Sequence, residues 1–140
     1  MNCLNCDKSL NGNQIYCNTF CQKEYEYKVY IDKWHKGVVN GMKGKYQISN
    51  HIRRYLFEKY DSKCFKCGWG ERNIYSKVIP LEIDHIDGNY KNNSESNLVL
   101  LCPNCHALTA TYKGANRGKG RKERKKYSFY DNPELGANRV

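Results

Sequence analysis

One carboxylate and two imidazoles in the middle of the chain have the types and spacing of a metal-assisted hydrolytic site. Asp84 and His85 are adjacent, and His106 follows further along. Carboxylates and neutral imidazoles are good ligands for divalent ions. Asp84 and His106 would therefore hold an ion and leave positions open for water and phosphate oxygens. An ion held in this way stabilises the charge that develops on a phosphodiester during hydrolysis. His85, beside the ion, is the candidate base for the attacking water.

A histidine base needs a partner at its second ring nitrogen, because that contact fixes the tautomer and the orientation of the ring. Asn97 is the candidate partner. If Asp84 and His85 lie on a strand, their side chains point to opposite faces unless the backbone bends. The pair Asp87–Gly88 follows at once and offers such a bend.

Eight cysteines fall into four close pairs. Together with first residues that contain no apolar signal segment, this predicts metal ligands instead of disulfides. Four thiolates can close around Zn²⁺, so we expect two structural zinc sites. The first would be formed by Cys3, Cys6, Cys17 and Cys21, and the second by Cys64, Cys67, Cys102 and Cys105. The alternatives are a disulfide framework, two unrelated reduced pairs at the N-terminus, and a central zinc ribbon without catalysis.

Two helices are expected before the central region. Asn18 or Thr19 could cap a helix that runs to about Trp34, and Ser49 could open a second helix from Asn50 to Tyr60. Apolar side chains recur at helical spacing on both. Those of the first helix are Phe20, Tyr27, Ile31 and Trp34, and those of the second are Ile52, Tyr55, Leu56 and Tyr60. The Gly- and Lys-rich segment between the helices, residues 36–49, is predicted to be a linker or mobile loop.

The central region predicts a strand, a polar loop, a second strand and a short helix. The strands are expected over Ser76–Ile86 and Asn97–Leu101, with Pro80 favouring an edge position or a late start for the first. Pro103 suits the first turn of a helix that would carry His106. The predicted organisation is a zinc unit with its helix (1–35), a linker with a helix (36–60), a central unit (61–114) and a basic tail (115–140).

The net charge of +10 is concentrated in the flanks. Residues 1–60 carry 10 Lys/Arg against 5 Asp/Glu, residues 61–110 carry 5 against 6, and residues 111–140 carry 9 against 3. This distribution suits a polyanionic partner around a centre that holds a cation, although solubility alone is the simpler explanation. The candidate phosphate contacts are Arg117, Lys119, Arg121, Lys122, Arg124, Lys125 and Lys126. The mean hydropathy of −0.88 and the lack of a long apolar run argue against a membrane span and favour a cytoplasmic protein.

The pattern Asp84-His85, Asn97-Leu98 and Cys105-His106 inside the frame of four central cysteines resembles the HNH endonucleases, or ββα-metal nucleases. The resemblance covers about residues 61–114. It implies that His85 is the general base, that Asn97 orients it, and that Asp84 and His106 hold the catalytic ion. It also implies a small α+β fold, stabilised by zinc, in which a ββα-metal core is joined to the N-terminal four-cysteine unit by connecting helices. The N-terminal unit and the basic tail resemble those of small phage-borne members.

From these features we expect a metal-dependent DNA endonuclease that acts on double-stranded DNA. One site per chain predicts nicking by a monomer, whereas a double-strand break would need a homodimer or two sequential events. The catalytic ion could be Mg²⁺, Mn²⁺, Ni²⁺ or Zn²⁺. The alternatives are a non-catalytic, zinc-dependent DNA-binding or regulatory module, and an RNA-directed nuclease or ribosome-associated zinc protein. The target sequence and the biological role, such as homing, restriction, packaging or host DNA degradation, stay open.

Overall fold

The computed structural model describes residues 1–112 of the 140-residue chain. Three helices and two separate pairs of antiparallel strands follow one another within these residues. In chain order they are α1 (Thr19–His35), β1 (Met42–Lys43), β2 (Gln47–Ile48), α2 (Asn50–Lys59), β3 (Glu82–His85), a 3₁₀ turn (Glu95–Asn97), β4 (Leu98–Leu101) and α3 (Pro103–Ala107). This is a small α+β fold, as the sequence predicted.

Both long helices begin at the expected caps. The Asn18 side chain accepts a hydrogen bond from the backbone N–H of Cys21, and the Ser49 hydroxyl accepts one from His51. These contacts satisfy N–H groups that the first turn of a helix leaves unpaired. Of the apolar residues predicted at helical spacing on α1, Tyr27 and Trp34 are buried, whereas Phe20 is 68% exposed.

A charge cluster fastens α1 to α2. The guanidinium of Arg54 donates two hydrogen bonds to Glu24 of α1 and a third to Glu58 of its own helix. The central carbon of the guanidinium, Cζ, also lies 3.9 Å from the centre of the Tyr27 ring. The two parallel hydrogen bonds with Glu24 link the helices in the geometry that the planar guanidinium prefers for a carboxylate.

The segment 36–49, predicted as a linker or mobile loop, is ordered in part as a hairpin. Strands β1 and β2 pair with Met42 opposite Ile48, and the backbone N–H of Ser49 donates to the carbonyl of Gly41. Gly41 has φ +76°, and an added Cβ would lie 2.6 Å from Ile52 Cδ1. Only glycine meets both requirements, so this residue lets the hairpin close onto α2.

The first strand of the central region is shorter than predicted. It begins at Glu82 instead of Ser76, because residues 73–78 form a tight turn in which Asn73 accepts hydrogen bonds from Tyr75 and Ser76. Strand β4 begins at Leu98, since Asn97 ends the 3₁₀ turn. The two strands pair in a regular antiparallel register from Glu82 opposite Leu101 to His85 opposite Leu98.

Two apolar clusters hold these elements together. One surrounds the central cysteines and includes Leu81, Leu100 and Leu101. The other joins the N-terminal helices to β4 and consists of Trp34, Ile52, Leu56 and Leu98. Ile83 of β3 packs against both clusters, so the central unit and the N-terminal helices share one continuous interior. None of the helices within residues 1–112 has the length and apolar character needed to cross a membrane.

Glu95 joins the 3₁₀ turn to both long helices. It accepts hydrogen bonds from the Tyr55 hydroxyl at 2.7 Å and from Lys59 at 3.1 Å, and it lies 3.1 Å from His35. The hydrogen bond from Tyr55 lowers the pKa of Glu95, and the same bond raises the pKa of Tyr55 to about 12. The contact therefore favours a charged acceptor and a neutral donor.

We predict that Tyr55 and Glu95 are energetically coupled by about 1 kcal/mol, which is typical of one hydrogen bond to a charged acceptor in a partly exposed site. A double-mutant cycle with Tyr55→Phe and Glu95→Gln, followed by denaturant unfolding, measures this quantity. Additive losses in the double variant would show that the contact contributes nothing. The same cycle on Tyr55→Phe and the exposed Glu71→Gln serves as the control, with no coupling expected.

Candidate active site

The strands β3 and β4 and the helix α3 position Asp84, His85 and His106, and they bring Asp84 and His106 together. Asp84 and His85 are the last two residues of β3, and His106 lies on α3, which packs on both strands. The register is regular at Asp84 and His85, so their side chains leave the strand on opposite sides. The chain turns directly afterwards, where the N–H of Gly88, at φ +73°, donates to the carbonyl of His85. The chain therefore bends only after the strand, and the bend does not bring the Asp84 and His85 side chains to one face.

His106 lies between two carboxylates of β3. Its Nδ1 is 2.6 Å from Glu82 Oε2, and its Nε2 is 3.5 Å from Asp84 Oδ1. A proton on Nδ1 satisfies Glu82 and leaves the lone pair of Nε2 directed towards Asp84. Histidines that bind metal ions are commonly oriented through a carboxylate on their other nitrogen. Glu82 was missed in the sequence, although its position two residues before Asp84 places both on one face of a strand.

Asp84 Oδ1 and His106 Nε2 fit a shared divalent ion. Two ligand atoms that each lie about 2.1 Å from one ion are separated by about 3.0–3.4 Å, depending on the coordination geometry. The observed 3.5 Å is close to that separation. Asp84 is 9% exposed, and burial raises its pKa, while the neighbouring imidazoles of His106 and His85 act against the rise. A buried carboxylate of this kind gains from a nearby cation.

His85 is paired with Asn93 and not with Asn97. The distance from His85 Nε2 to Asn93 Oδ1 is 2.7 Å. The expectation that Asn97 contacts His85 is therefore wrong for this structure. Asn97 belongs to the 3₁₀ turn, and its side chain binds Asp87 in the loop that follows β3. It is therefore Asn93, and not Asn97, that contacts the His85 ring.

Asn97 holds the loop between the strands. Its Nδ2 donates to Asp87 Oδ1 at 2.9 Å and to the carbonyl of Asn92 at 2.8 Å, and its Oδ1 accepts from the N–H of Asp87 at 3.0 Å. A hydrogen bond from Asn92 is the main cause of the lowered pKa of Asp87. Asn97 is 8% exposed and fully engaged. Its contribution to the site is to fix the turn that ends β3 beside His85.

The four central cysteines form a group that could hold a metal ion, with all four sulfurs within 4.8 Å of one another. Tetrahedral Zn²⁺ with Zn–S bonds of about 2.3 Å separates its sulfurs by about 3.8 Å. Cys67 and Cys102 are 3.7 Å apart. Burial raises the pKa of Cys64, but backbone N–H groups of Cys102, Cys67 and Lys66 outweigh it and bring that pKa to about 6. Because Cys105 precedes His106, this group also fixes the start of α3.

The four N-terminal cysteines form a second group of the same kind. The sulfur of Cys17 lies 3.7 Å from that of Cys6 and 3.4 Å from that of Cys21. A hydrogen bond with Cys21 raises the pKa of Cys17 to about 12, whereas the pKa of Cys3 falls to about 6 because backbone N–H bonds outweigh burial. Thiols that resist ionising together are deprotonated by a shared cation. Both groups therefore fit the predicted metal ligation.

Comparison with known proteins addresses the same central region. Residues 64–109 match the family model described as HNH endonuclease. This segment, the HNH unit, is therefore similar to HNH endonucleases. The match includes Asp84, His85 and His106, together with all four central cysteines.

A curated relative is described as an H-N-H endonuclease. The H-N-H endonuclease F-TflIV of Escherichia phage T5 is 54% identical over 74 residues, which is 53% of this chain and 31% of the relative. The chain thus aligns with less than a third of that protein. No solved structure matches the chain.

The basic residues predicted to contact DNA lie outside residues 1–112, the part that the structure describes. They are Arg117, Lys119, Arg121, Lys122, Arg124, Lys125 and Lys126. Their predicted role is untested.

We predict that the central cysteine group and His106 can be separated by mutation. Cys64→Ser should unfold the HNH unit, because metal binding by a closed four-thiolate site is also folding free energy. His106→Ala should keep the fold and the bound structural metal. Circular dichroism and elemental analysis of both variants test the prediction, which fails if they behave alike.

Loss of the Glu82 carboxylate should weaken binding of a divalent ion by roughly 10- to 100-fold, the usual effect of removing an outer partner of a ligating histidine. The measurement is a calorimetric titration of Mn²⁺ into zinc-loaded wild type and Glu82→Ala. Glu71→Ala, which removes an exposed carboxylate before β3, is the control and should bind as wild type does. Equal affinity in all three proteins would contradict the contact between Glu82 and His106 as a support for ion binding.

Proposed function

We propose that this protein is a metal-dependent DNA endonuclease that hydrolyses phosphodiester bonds. The observation that carries the proposal is the convergence of Asp84 and His106, 3.5 Å apart, within the segment that matches the HNH family, where His85 is the residue after Asp84 on β3. A phosphodiester is hydrolysed when water attacks phosphorus, the bond from phosphorus to the 3′ oxygen breaks, and a proton leaves the water.

His85 is suited to receive that proton. It is half-buried at the end of β3, with one ring nitrogen held by Asn93. The other nitrogen would accept the proton of the water, and the departing 3′ oxygen would take a proton from solvent. A base held in one orientation loses less entropy in the transition state than a mobile one.

Asp84 and His106 would hold the catalytic ion, with Glu82 orienting His106. A divalent ion supplies positive charge for the phosphate oxygens and for the leaving oxygen. The mixed oxygen and nitrogen ligands admit Mg²⁺, Mn²⁺, Ni²⁺ or Zn²⁺. We also propose that the two four-cysteine groups hold structural Zn²⁺, since a closed set of four sulfurs leaves no position for substrate.

DNA is the proposed substrate, in double-stranded form. The formal net charge of +10 favours a polyanion, and the HNH unit itself is nearly neutral, so that the flanking segments provide most of the attraction. The described part of the chain contains one such site, which supports nicking by a monomer. Two strands would be cut by a homodimer or by two successive events. Such a protein would act in the cytoplasm of a bacterial or phage-infected cell.

The rival function is a zinc-dependent DNA-binding or regulatory module without catalysis. It accounts for the cysteines and for the charge. It gives no reason for a buried carboxylate beside an imidazole that a second carboxylate orients, because four sulfurs already complete the structural site. The hydrolytic function accounts for all of these residues.

His85→Ala should lower the rate of cleavage by roughly 10²- to 10⁴-fold, the usual contribution of a general base, while DNA affinity and metal content stay unchanged. Supercoiled plasmid, incubated with chelated protein to which single metal ions are added back, shows nicked, linear or uncut products. His35→Ala, on α1, is the matched histidine control and should cleave as wild type does. Cleavage by His85→Ala at the wild-type rate would exclude His85 as the base.

A further inference from the structure

We propose that Asn93 is the residue that positions His85, and that it fixes the tautomer in which Nε2 carries the proton and Nδ1 keeps the lone pair. The inference rests on the proposed function in one respect, namely that His85 is the base. It goes further by identifying which nitrogen of His85 acts and which part of the chain determines this.

The orientation of the Asn93 amide follows from its other contacts. Nδ2 lies 3.1 Å from the backbone carbonyl of Asn40 and 3.0 Å from the sulfur of Met42. Both are acceptors, so the NH₂ group must face them. The amide oxygen then faces His85 Nε2 at 2.7 Å, and an oxygen can only accept. Nε2 must therefore be the protonated nitrogen.

The backbone of Asn93 is held as firmly as its side chain. The indole N–H of Trp34 donates to the Asn93 carbonyl at 2.7 Å in a buried hydrogen bond. Gly41 packs so closely that an added Cβ would lie 2.9 Å from the Cβ of Asn93. Asn93 itself is 4% exposed. A side chain fixed by contacts on several sides transmits its orientation to the ring that it touches.

The groups that hold Asn93 come from outside the family match. Trp34 is on α1, Asn40 and Gly41 precede β1, and Met42 is the first residue of β1, whereas the match covers residues 64–109. The N-terminal segment therefore completes the site of the HNH unit through one amide. This gives the hairpin and the C-terminal half of α1 a role in orienting the base in addition to packing.

The tautomer can be measured without DNA and without activity. In zinc-loaded protein labelled with ¹⁵N-histidine, long-range ¹H–¹⁵N spectra at slightly alkaline pH distinguish protonated from unprotonated ring nitrogens. The His85 signals are assigned by their loss in His85→Ala. We expect His85 to be in the Nε2–H form. A predominant Nδ1–H form, or an even mixture, would overturn the proposal, whether or not the protein proves to be a nuclease.

Two substitutions then separate positioning from simple stability. Asn93→Leu keeps the size of the side chain and removes the acceptor, so the His85 tautomer should become mixed and kcat should fall roughly 10- to 100-fold with KM for DNA unchanged. Asn93→Asp keeps an acceptor for Nε2 but sets its second oxygen against the Asn40 carbonyl, so it should retain the Nε2–H form and recover only part of the lost kcat. Wild-type kcat in Asn93→Leu would overturn the proposal, as would equal losses in both variants.

The control for stability is Tyr27→Phe, which removes a hydrogen bond to Glu58 at the interface of the two long helices. It should lower the melting temperature and leave both kcat and the His85 spectrum unchanged. A loss of kcat in this control equal to that of Asn93→Leu would show that destabilisation alone explains the effect. If the proposed function is wrong, wild type and His85→Ala will both fail to cleave DNA. The ¹H–¹⁵N spectra will still show the tautomer of His85 in that case.

Discussion

The amide of Asn93 is the contact on which the arrangement of the site depends. It stands between the carbonyl of Asn40, 53 positions away in sequence, and the imidazole of His85, eight positions away. A buried amide whose donors and acceptor are all satisfied is restricted to one orientation, since turning it over would place oxygen against oxygen and leave a donor unpaired. The loop that carries Asn93, the segment before β1 and the end of β3 must therefore all adopt their positions for these hydrogen bonds to form.

This dependence explains why so small a protein has an elaborate N-terminal part. The HNH unit consists of two four-residue strands and a five-residue helix, which bury little apolar surface without help. Leu98 of β4 obtains its burial from Trp34, Ile52 and Leu56, all of which belong to the N-terminal helices. Glu95 and Arg54 add polar contacts between these elements. The two cysteine groups would add further rigidity by holding the proposed structural metal.

The sequence predicted the parts of the fold that depend on local signals. Helices α1 and α2 begin at their expected caps, and the central cysteines and His106 come together because spacing and chain connectivity dictate it. Strand β3 was predicted to begin six residues too early, since the turn that Asn73 stabilises has no strong signal in Ser76–Val78. The hydrogen-bond partner of His85 could not be predicted from the sequence. Several asparagines follow Asp87, and only the three-dimensional path of the hairpin decides that Asn93, and not Asn97, faces the ring.

The two cysteine groups differ in the length of chain that must be synthesised before all four of their cysteines are present. The first group closes between Cys3 and Cys21, so it can assemble when little more than the first helix turn has been made. The second group cannot close until Cys102 and Cys105 have been synthesised. Cys102 follows Cys67 by 35 positions. His106 comes directly after, and by then α1, the hairpin and Asn93 already exist. His106, the last ligand of the proposed catalytic ion, is therefore synthesised after all the residues that hold Asn93.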